Sequence, residues 1–563
     1  GEVIRGDDVD LYLRIKWDKR YNNKDSVSTI LGLAFRLRDP KNLLGKGTDP
    51  GITCALVPSD SHGIDTSQRH DPLGVPFHNC PTTGVDVVAP VDAIIGGVDG
   101  VGNGWQMLME CLAAGRGISL PASSTGGAKL VSRVAGAYAA VRKQFGLPIG
   151  KFEGIEEPLA RIGGFTYLME AARRYTCGAL DAGAKPAVVT AMAKLSFTEL
   201  YRKIINDGMD VLGGAAISRG PRNLLAHGYV GAPISITVEG ANILTRTMIV
   251  FGQGAIRCHP HAFDEIDALA KGDAAGFDVA FFRHLGHVFR NTCRSLLLSL
   301  SRGWLARSPV RGPAAPYWRK LGWASASFAL MADLAMGTLG GNLKRKEKLA
   351  GRFADIFSWM YLGAAVLRRF EADGRRPADL PFLHWAMQHA FAQIQIAFQG
   401  LFRNLNVPIL GWLLRGPVAM WSRLNPIGSP PTDRVGHEVA KALQQPGEDR
   451  DHLTAGIFLP TAEGEALHRL ETAFRLTREA QPVLRKIKDA SRSKTLPADR
   501  PERLLEQAVQ HDVITEDEAN LVRKAEAART DAITVDAFAL QDYLSAKSPD
   551  SAEVSPVSPV SPV

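Results

Sequence analysis

The sequence changes character at Gly96-Gly-Val-Asp-Gly-Val-Gly-Asn-Gly104. Before this glycine-rich stretch, short apolar runs are separated by Gly, Pro and Asp, which is typical of β-strands. After it, apolar residues recur every three or four positions, which is typical of α-helices. The stretch is not a dinucleotide-binding fingerprint, because its glycine spacing is wrong and no strand–helix–strand pattern surrounds it. The sequence therefore predicts a flexible connector between a small β domain and a long helical region.

The pattern on either side of the connector predicts a mainly α protein with a small β domain. Residues 1–100 are expected to form an antiparallel sheet domain, residues 101–265 an antiparallel helical bundle, and residues 266–545 a helical extension. The last nine residues are Ser-Pro-Val three times, so residues 546–563 are expected to be a disordered tail. The predicted strands lie at 11–17, 29–35 and 52–57, and the predicted bundle helices at 106–114, 126–145, 157–182, 187–212 and 243–256. In the extension, Thr515 and Glu518 have the spacing of a helix capping box.

Composition excludes several classes of protein. With 563 residues, of which 45% are hydrophobic, the chain is long and apolar enough to form more than one core. Its six cysteines are scattered without a CxxC pair, so neither a disulfide framework nor a metal site is predicted, and a reducing compartment is expected. No transmembrane helix or signal peptide is recognised. The bacterial cytoplasm is the expected location, with a peripheral position at the inner membrane as the alternative. Because Gly1 is not an initiator Met, we expect the sequence to be cut from a longer one.

Glu239 is the candidate that stands out from the residues alone. It follows the β-branched run 234–238, which is predicted to be extended, and it precedes Gly240. Burial against apolar neighbours would raise the pKa of such a carboxyl group toward that of a useful general base, and the glycine would let a ligand approach. Alternatively, the carboxylate only favours the start of the following helix through the helix dipole.

Two further segments could contact a phosphate group, or they could simply be the ends of helices. Arg142-Lys-Gln-Phe-Gly146 could hold a pyrophosphate and a flat ring, or it could be a basic helix C-terminus. Asp210-Val-Leu-Gly-Gly214 could let a ligand approach its backbone, or it could be an ordinary C-cap.

Taken together, these segments resemble the acyl-CoA dehydrogenases in order and spacing. The stretch Val238-Glu-Gly-Ala-Asn-Ile-Leu-Thr-Arg246 is similar to the family's catalytic-base motif, and the segments at 142–146 and 210–214 are similar to its two FAD segments. Residues 123–127, 151–161, 251–260 and 377–385 resemble the long bacterial enzymes of fatty-acid β-oxidation, the FadE type. The resemblance covers nearly the whole chain except the Ser-Pro-Val tail.

The resemblance implies an FAD-dependent α,β-dehydrogenation of medium- or long-chain acyl-CoA to trans-2-enoyl-CoA, with electrons passed to an electron-transferring flavoprotein. Glu239 would then be the base, with its backbone N–H and a flavin hydroxyl stabilising the enolate. Gly240 would lie beside the thioester, and Arg116 would lie near the substrate entrance. The resemblance also implies cofactor contacts from Arg142, Gln144, Phe145, Asp210, Val211, Leu212, Gly213 and Gly214.

Near the N-terminus, residues 19–23 resemble the strand that lies against the isoalloxazine ring in this family. Tyr21 replaces a Trp and Asn23 replaces a Thr. Tyr21 could stack on the flavin or take part in ordinary sheet packing.

The sequence departs from the family pattern at three positions. It also lacks the N-terminal part of that pattern. Ala241 and Ile243 replace side chains that hydrogen-bond the flavin in many members, and the Asp210 carboxylate would repel a pyrophosphate. The family's N-terminal helical domain and first strands are not in these 563 residues. Because the resemblance places Arg142 on the FAD of a neighbouring subunit, at least a homodimer is expected.

The first part of the helical extension has many more basic than acidic residues. Residues 281–430 contain 20 Lys and Arg against 6 Asp and Glu. Segments that combine Trp, Leu and Arg, such as residues 411–423, could lie in a membrane interface or be buried helices with a solvated basic face. We favour the buried helix, because Pro417 interrupts a long amphipathic pattern. Nucleic-acid binding is not predicted. Docking of the extension on a membrane or on a partner is a hypothesis, which replacement of Lys344, Arg345 and Lys346 by Ala would test through vesicle binding.

Two other functions remain open at this point. An acyl-CoA oxidase would use the same base with O₂ as the acceptor, and hydrogen peroxide production would distinguish it. A non-catalytic helical docking protein would retain the bundle without the chemistry.

Overall fold

The computed structural model describes residues 1–7, 10–407, 410–496 and 501–541. The predicted fold class is confirmed, since the extended strands lie in the N-terminal part and helices follow. The chain forms two compact units. The first comprises Gly1–Gly136, Gly150–Gly208 and His227–Ile457, and the second comprises Ala137–Ile149, Met209–Ala226 and the described residues from Phe458 onward. The four-part division expected from the sequence stays a prediction, and its tail lies outside the described residues.

The N-terminal part of the first unit contains an antiparallel sheet in the order β1-β2-β6-β5 and a separate β3–β4 pair. These strands confirm the predicted ones and extend them. Their inward-facing apolar side chains, including Leu13, Ile15 and Val87, form one buried cluster. The strands are β1 Glu2–Arg5, β2 Leu11–Asn23, β3 Ile30–Leu37, β4 Gly51–Pro58, β5 Ile64–Asp65 and β6 Asn79–Pro90.

Helices make up most of the rest of the described chain. The predicted helix 187–212 is confirmed residue for residue. The helices before the extension are α1 Gly104–Val141, α2 Glu153–Asp181, α3 Ala187–Leu212, α4 Gly214–Ile217, α5 Ala226–Thr237, α6 Asn242–Leu244, a π-helix Thr245–Gln253, and α7 Gly254–Cys258. Those that follow are α8 Ala262–Lys271, α9 Ala274–Leu300, α10 Ala315–Leu339, α11 Glu347–Ala372, α12 Leu380–Asn404, α13 Gly411–Leu413, a π-helix Leu414–Val418, α14 Ala419–Leu424, α15 Asp433–Leu443, α16 Glu448–Leu453, α17 Ala466–Arg492, α18 Pro501–Gln510 and α19 Glu516–Ile533.

Helix α1 and the segment before it differ from the sequence predictions. The glycines and Pro121 predicted a break between helices 106–114 and 126–145, but one helix runs from Gly104 to Val141. Packing explains the continuity, because a Cβ at Gly117 would lie 2.5 Å from Thr190 of α3. The close approach of α1 and α3 outweighs the low helix propensity of this stretch. Residues 97–100, which were predicted to be part of a flexible connector, form a turn of 3₁₀-helix.

The bundle packs tightly where α2 meets α12. A Cβ at Gly164 would lie 2.0 Å from Trp385, so only glycine allows this indole to lie against α2. His389, one turn further along α12, stacks on Trp385 with 5.1 Å between ring centroids and meets the edge of Phe165. Burial, together with a smaller contribution from the nearby Lys203 ammonium, lowers the pKa of His389 to about 4. The imidazole is therefore neutral at pH 7.

This histidine predicts a pH dependence of stability. The unfolded chain binds a proton at His389 near pH 6.5 and the folded protein only near 4, so stability is lost as pH falls through this window. We expect a loss of roughly 2–3 kcal/mol from this residue between pH 7.5 and 4.5, and a His389→Phe variant should lack it. Urea unfolding at the two pH values measures the difference. The exposed His62 provides the control, and an unchanged pH dependence in His389→Phe would contradict the prediction.

The second unit has its own small core. Val483 and Ile487 of α17 pack against Leu496, Ala508, Ile514 and Ala519. The predicted capping box is confirmed, since the Thr515 hydroxyl accepts from Glu518 N and the Glu518 carboxylate accepts from Thr515 N.

Within the described residues, no single helix is long and apolar enough to cross a bilayer. One bent pair, Ala226–Thr237 with Asn242–Ile256, meets the length and composition requirement together, with 49° between its halves.

Candidate functional site

Glu239 lies on a tight turn between α5 and α6. Its φ is +55° and that of Gly240 is +90°, so two successive residues adopt the left-handed conformation. For a glutamate this conformation is strained, and such strain is concentrated at functional sites. The Glu239 side chain is exposed, which differs from the burial expected from the sequence.

The extended run predicted at 234–238 is wrong. Residues 234–237 are the last turn of α5, despite their β-branched side chains. The reason is a tertiary contact, because the buried Lys194 ammonium donates to the Ile236 carbonyl at 3.0 Å. The contact satisfies a carbonyl that the end of a helix leaves unpaired.

Lys194 fixes the whole turn. Its Nζ also donates to the Gly240 carbonyl at 2.8 Å and to Asn242 Oδ1 at 2.8 Å. An ammonium has three N–H donors, and here each has an acceptor. The Asn242 amide in turn donates to Thr198 Oγ1 and Glu199 Oε1, both at 2.9 Å. Helix α3 therefore holds the backbone on both sides of Glu239.

Arg116 of α1 belongs to the same electrostatic environment. Its side chain is buried, and its Nε has no hydrogen-bond partner among the described residues. Burial lowers the pKa of Arg116, and the Glu239 carboxylate opposes this shift. Burial also lowers the pKa of Lys194 to about 8, with Glu239 again opposing the shift and Arg116 adding to it. The structure thus places Arg116 and Lys194 in electrostatic contact with the Glu239 carboxylate, whereas the predicted roles of Arg116, Glu239 and Gly240 stay predictions.

This arrangement presents a carboxylate on a rigid turn with two buried cations nearby. A carboxylate held in this way can accept a proton from a substrate without reorganisation of the backbone. The exposed side chain is open to a ligand, and Gly240 has no side chain to obstruct it.

After the turn and the short α6, the chain continues as the π-helix Thr245–Gln253, a form that is often found at functional sites. Arg246 anchors it to α11 through two parallel bonds to Asp355, of 2.7 Å from Nε and 2.5 Å from Nη2. A Cβ at Gly351 would lie 2.6 Å from the Arg246 guanidinium, so the glycine makes room for this pair.

We expect Asp355→Asn to lower the free energy of unfolding by about 1 kcal/mol, because the pair is charged and bidentate but only partly buried. Urea unfolding provides the measurement. Asp49→Asn, which removes an exposed pair with Arg36 and Arg38, is the matched control and should change stability little. Equal losses in the two variants would contradict the prediction.

The cofactor candidates 142–145 lie in the second unit. Lys143–Gln144 and Leu147–Pro148 pair as a short hairpin, named β7 and β8. Phe145 and Gly146 form its tip, both with positive φ, as a two-residue hairpin turn requires. The Phe145 side chain is 92% exposed. The predicted helix C-terminus at 142–145 is therefore a hairpin that presents an aromatic ring.

The second cofactor segment is the end of α3. Val211 and Leu212 are buried, whereas Asp210, Gly213 and Gly214 are exposed. Gly213 has a φ of +57°, and an added Cβ at either glycine would meet no atom within 4 Å. A side chain at position 214 would thus fit within the protein's own packing. Because glycine has none, the backbone there is accessible.

Tyr21 and Asn23 lie at the end of β2. The Tyr21 side chain is 81% exposed, so it is not buried in the sheet, and both interpretations of this residue stay predictions. Its ring lies 5.4 Å from that of His70. Asn23 is exposed, and its Oδ1 accepts from Asn79 at 3.1 Å.

A group formed by His259, at the end of the predicted bundle, and by His284 and Asp333 of the extension did not appear in the sequence pattern. His259 Nε2 lies 3.0 Å from Asp333 Oδ1, and His284 Nε2 lies 3.6 Å from the same oxygen. These are metal-ligand residue types, but His259 Nδ1 accepts from the backbone N–H groups of 261 and 262. The proton of neutral His259 is therefore on Nε2, which leaves no lone pair there for a metal ion.

Comparison with known proteins agrees with this architecture. The family model "Acyl-CoA dehydrogenase, C-terminal, bacterial type" matches residues 256–538, and the model "Acyl-CoA dehydrogenase, C-terminal domain" matches residues 102–251. The chain belongs to the acyl-CoA dehydrogenase family. Among solved structures, an acyl-CoA dehydrogenase from Bacillus anthracis, complexed with FAD, has the same fold with a TM-score of 0.61 and 18% identity, covering 79% of this chain and 72% of that one.

Two curated relatives extend beyond the part that this chain matches. The probable acyl-CoA dehydrogenase FadE10 of Mycobacterium tuberculosis is 26% identical over 355 residues, which are 59% of this chain and 51% of that protein. Protein HemX of Proteus mirabilis is 55% identical over 104 residues, which are 18% of this chain and 61% of that protein. The chain thus spans about half the length of the first relative and under two thirds of the second.

The roles of the individual site residues in this family member stay predictions. Sequence reasoning missed Lys194, although a lysine within the apolar run Ala191-Met-Ala-Lys-Leu195 of a predicted bundle helix was a readable signal. It also missed Asn242, which it treated only as part of a motif.

Proposed function

We propose that the protein catalyses the α,β-dehydrogenation of a medium- or long-chain acyl-CoA to the trans-2-enoyl-CoA, with Glu239 as the base. The observation that carries the proposal is the turn at Glu239 and Gly240, which α3 holds through three hydrogen bonds from Lys194. A catalytic base must be held at a fixed position relative to the substrate, and the strained backbone here is stabilised for that purpose.

In this reaction the Glu239 carboxylate takes the α-proton of the thioester. Arg116 and Lys194 are cations that interact with the Glu239 carboxylate, which is the charged form that accepts the proton. Gly240 leaves the space beside the base open to the thioester. When bound, FAD supplies the acceptor for the β-hydrogen, which leaves as hydride.

The residues of the second unit fit FAD in part. The accessible backbone at Gly213 and Gly214 suits a phosphate, and the Arg142 guanidinium supplies the opposite charge. Gln144 and the exposed Phe145 ring provide a polar group and a flat surface. The exposed Asp210 carboxylate opposes phosphate binding, so we propose that it lies away from the pyrophosphate.

We further propose that the protein acts as a homo-oligomer and passes electrons to an electron-transferring flavoprotein. The exposure of Phe145 at a hairpin tip supports the first proposal, because an aromatic ring that reaches a neighbouring subunit must project from its own.

The test is an anaerobic absorption titration of the protein by palmitoyl-CoA. The proposal expects a flavin band that bleaches on addition of the thioester and a return of colour on addition of an electron-transferring flavoprotein. A flavin that is indifferent to the thioester would contradict the proposed reaction. Rapid re-oxidation by O₂ with stoichiometric peroxide would favour an oxidase.

A further inference from the structure

Helix α9 exposes a continuous apolar stripe on the surface of the first unit. Its members are spaced by three or four residues, so they lie on one face of the helix. Cys293, which is also exposed, fills the only longer gap. We call this set the α9 stripe, and its exposed fractions are Phe282 68%, Leu285 49%, Phe289 73%, Leu296 61% and Leu300 68%.

The apolar surface continues beyond the helix. Trp304, four residues after the stripe, is 74% exposed. The α13–α14 segment, residues 411–424, lies alongside the C-terminal end of α9, because Trp421 Nε1 donates to Ser299 Oγ at 2.8 Å. This segment also exposes Trp412, Met420 and Leu424. The interpretation of these Trp-containing segments as buried helices is therefore wrong.

The charge around this surface has one sign. Residues 279–311 contain six Arg and no Asp or Glu, and residues 411–424 add Arg415 and Arg423, again without an acidic residue. All of these arginines are exposed. The six in the first segment are Arg283, Arg290, Arg294, Arg302, Arg307 and Arg311.

An apolar cavity of about 620 Å³ lies between the same elements. Leu296 and Leu300 of the stripe line it, together with Trp323 of α10, Phe398 of α12 and Trp421 of α14. Its volume is in the range of small-molecule pockets, and its walls suit a hydrocarbon chain.

We propose that the α9 stripe and the α13–α14 segment form a binding site for an anionic phospholipid bilayer, and that the cavity between them receives an acyl chain of the lipid. Protein surfaces that lie in the lipid headgroup region typically expose Trp and Leu and have Arg around them. This surface has that composition. A second copy of the chain is a poorer occupant, because the same arginines would face each other across the interface. The site does not depend on the proposed dehydrogenation.

The experiment is flotation of the protein with vesicles of phosphatidylcholine, with and without about 30% phosphatidylglycerol. We expect roughly tenfold stronger binding to the anionic vesicles, and a decrease in binding as salt is raised. The triple variant Phe289→Ser, Leu296→Ser, Leu300→Ser should lose binding to both compositions. If the wild-type protein does not float with the anionic vesicles, the proposal is overturned.

Two charge variants separate this surface from general basicity. Arg290→Gln, Arg294→Gln and Arg302→Gln together should remove most of the preference for anionic vesicles. Lys344→Gln, Arg345→Gln and Lys346→Gln remove the same charge from an exposed patch that does not line the cavity, and they should leave binding nearly unchanged. Equal losses from both sets would overturn the proposed location.

Sedimentation velocity without lipid tests the competing occupant. If the serine variant converts a dimer to a monomer, the stripe is a contact between copies and the proposal fails. The cavity is tested with phosphatidylcholine brominated on its chains, which quenches nearby tryptophans. Trp323→Phe should reduce this quenching, and an unchanged quench would show that no chain enters the cavity.

Discussion

We expect Glu239→Gln to lower kcat for acyl-CoA dehydrogenation by a factor of roughly 10²–10⁴, the range by which a positioned general base accelerates a reaction. The amide keeps the size of the side chain but has no basic oxygen to take the α-proton. The Lys194 bonds to the turn are made to backbone atoms and to Asn242, so the geometry should survive. Steady-state turnover and single-turnover flavin bleaching measure the loss.

The variant also decides between an enzyme and a docking protein. Thermal unfolding should show a Tm close to that of the wild type, and flavin content should be unchanged. Glu110→Gln, at an exposed glutamate of α1, is the matched control and should keep full activity. A Glu239→Gln protein with normal turnover would remove the base assignment.

Lys194→Met should have the second largest effect. Methionine replaces the aliphatic stem, but it leaves the carbonyls of Ile236 and Gly240 and the Asn242 amide oxygen without their buried donor. Each unpaired group costs about 1–3 kcal/mol, so the variant should be less stable and its turn less well held. We expect kcat to fall by roughly tenfold to a hundredfold, because small displacements of a catalytic group have effects of this size.

A pH profile distinguishes positioning of the base from a general loss of stability. The pKa of Lys194 is about 8, and the neutral amine has two N–H donors for three acceptors. Wild-type kcat should therefore fall as the pH rises through about 8, and Lys194→Met should lack this decrease. Lys129→Met, at a second buried lysine that pairs with Glu170, should destabilise the fold without altering the pH profile. The same profile in wild type and Lys194→Met would contradict the assigned role.

The lowered pKa of Lys194 affects stability in the opposite direction to activity. Since the unfolded chain holds this proton up to its ordinary pKa of 10.5, the unfolded state binds more protons between pH 8 and 10.5. The contribution of Lys194 to stability therefore increases with pH across this window. Activity and stability should move in opposite directions above pH 8.

Helical and strand periodicity predicted the elements whose apolar residues repeat clearly. Helix α3 and the strands β2, β3 and β4 were found in this way, and so was the cap at Thr515. The periodicity failed where a distant contact outweighs local preference. Gly117 and Pro121 indicate a break, but packing against Thr190 keeps α1 continuous, and the β-branched end of α5 is stabilised by Lys194.

The sequence was sufficient to predict which residues belong to the candidate site. It was not sufficient to predict how they are arranged in space. The motif placed Glu239 and Gly240 side by side, and the resemblance added Arg116. The environment of Glu239 could not be read from its neighbours in sequence, because it is created by α3, some 45 residues earlier. The exposure of Phe145 likewise follows from a hairpin that a basic helix end did not suggest.

The left-handed backbone at Glu239 means that a glutamate at this position costs conformational energy. A glycine there would relieve the strain, because glycine adopts positive φ without a steric penalty. Glu239→Gly should therefore have a higher free energy of unfolding than Glu239→Ala, and urea unfolding of the two variants measures the difference. That order would mean that the glutamate serves the reaction and not the fold.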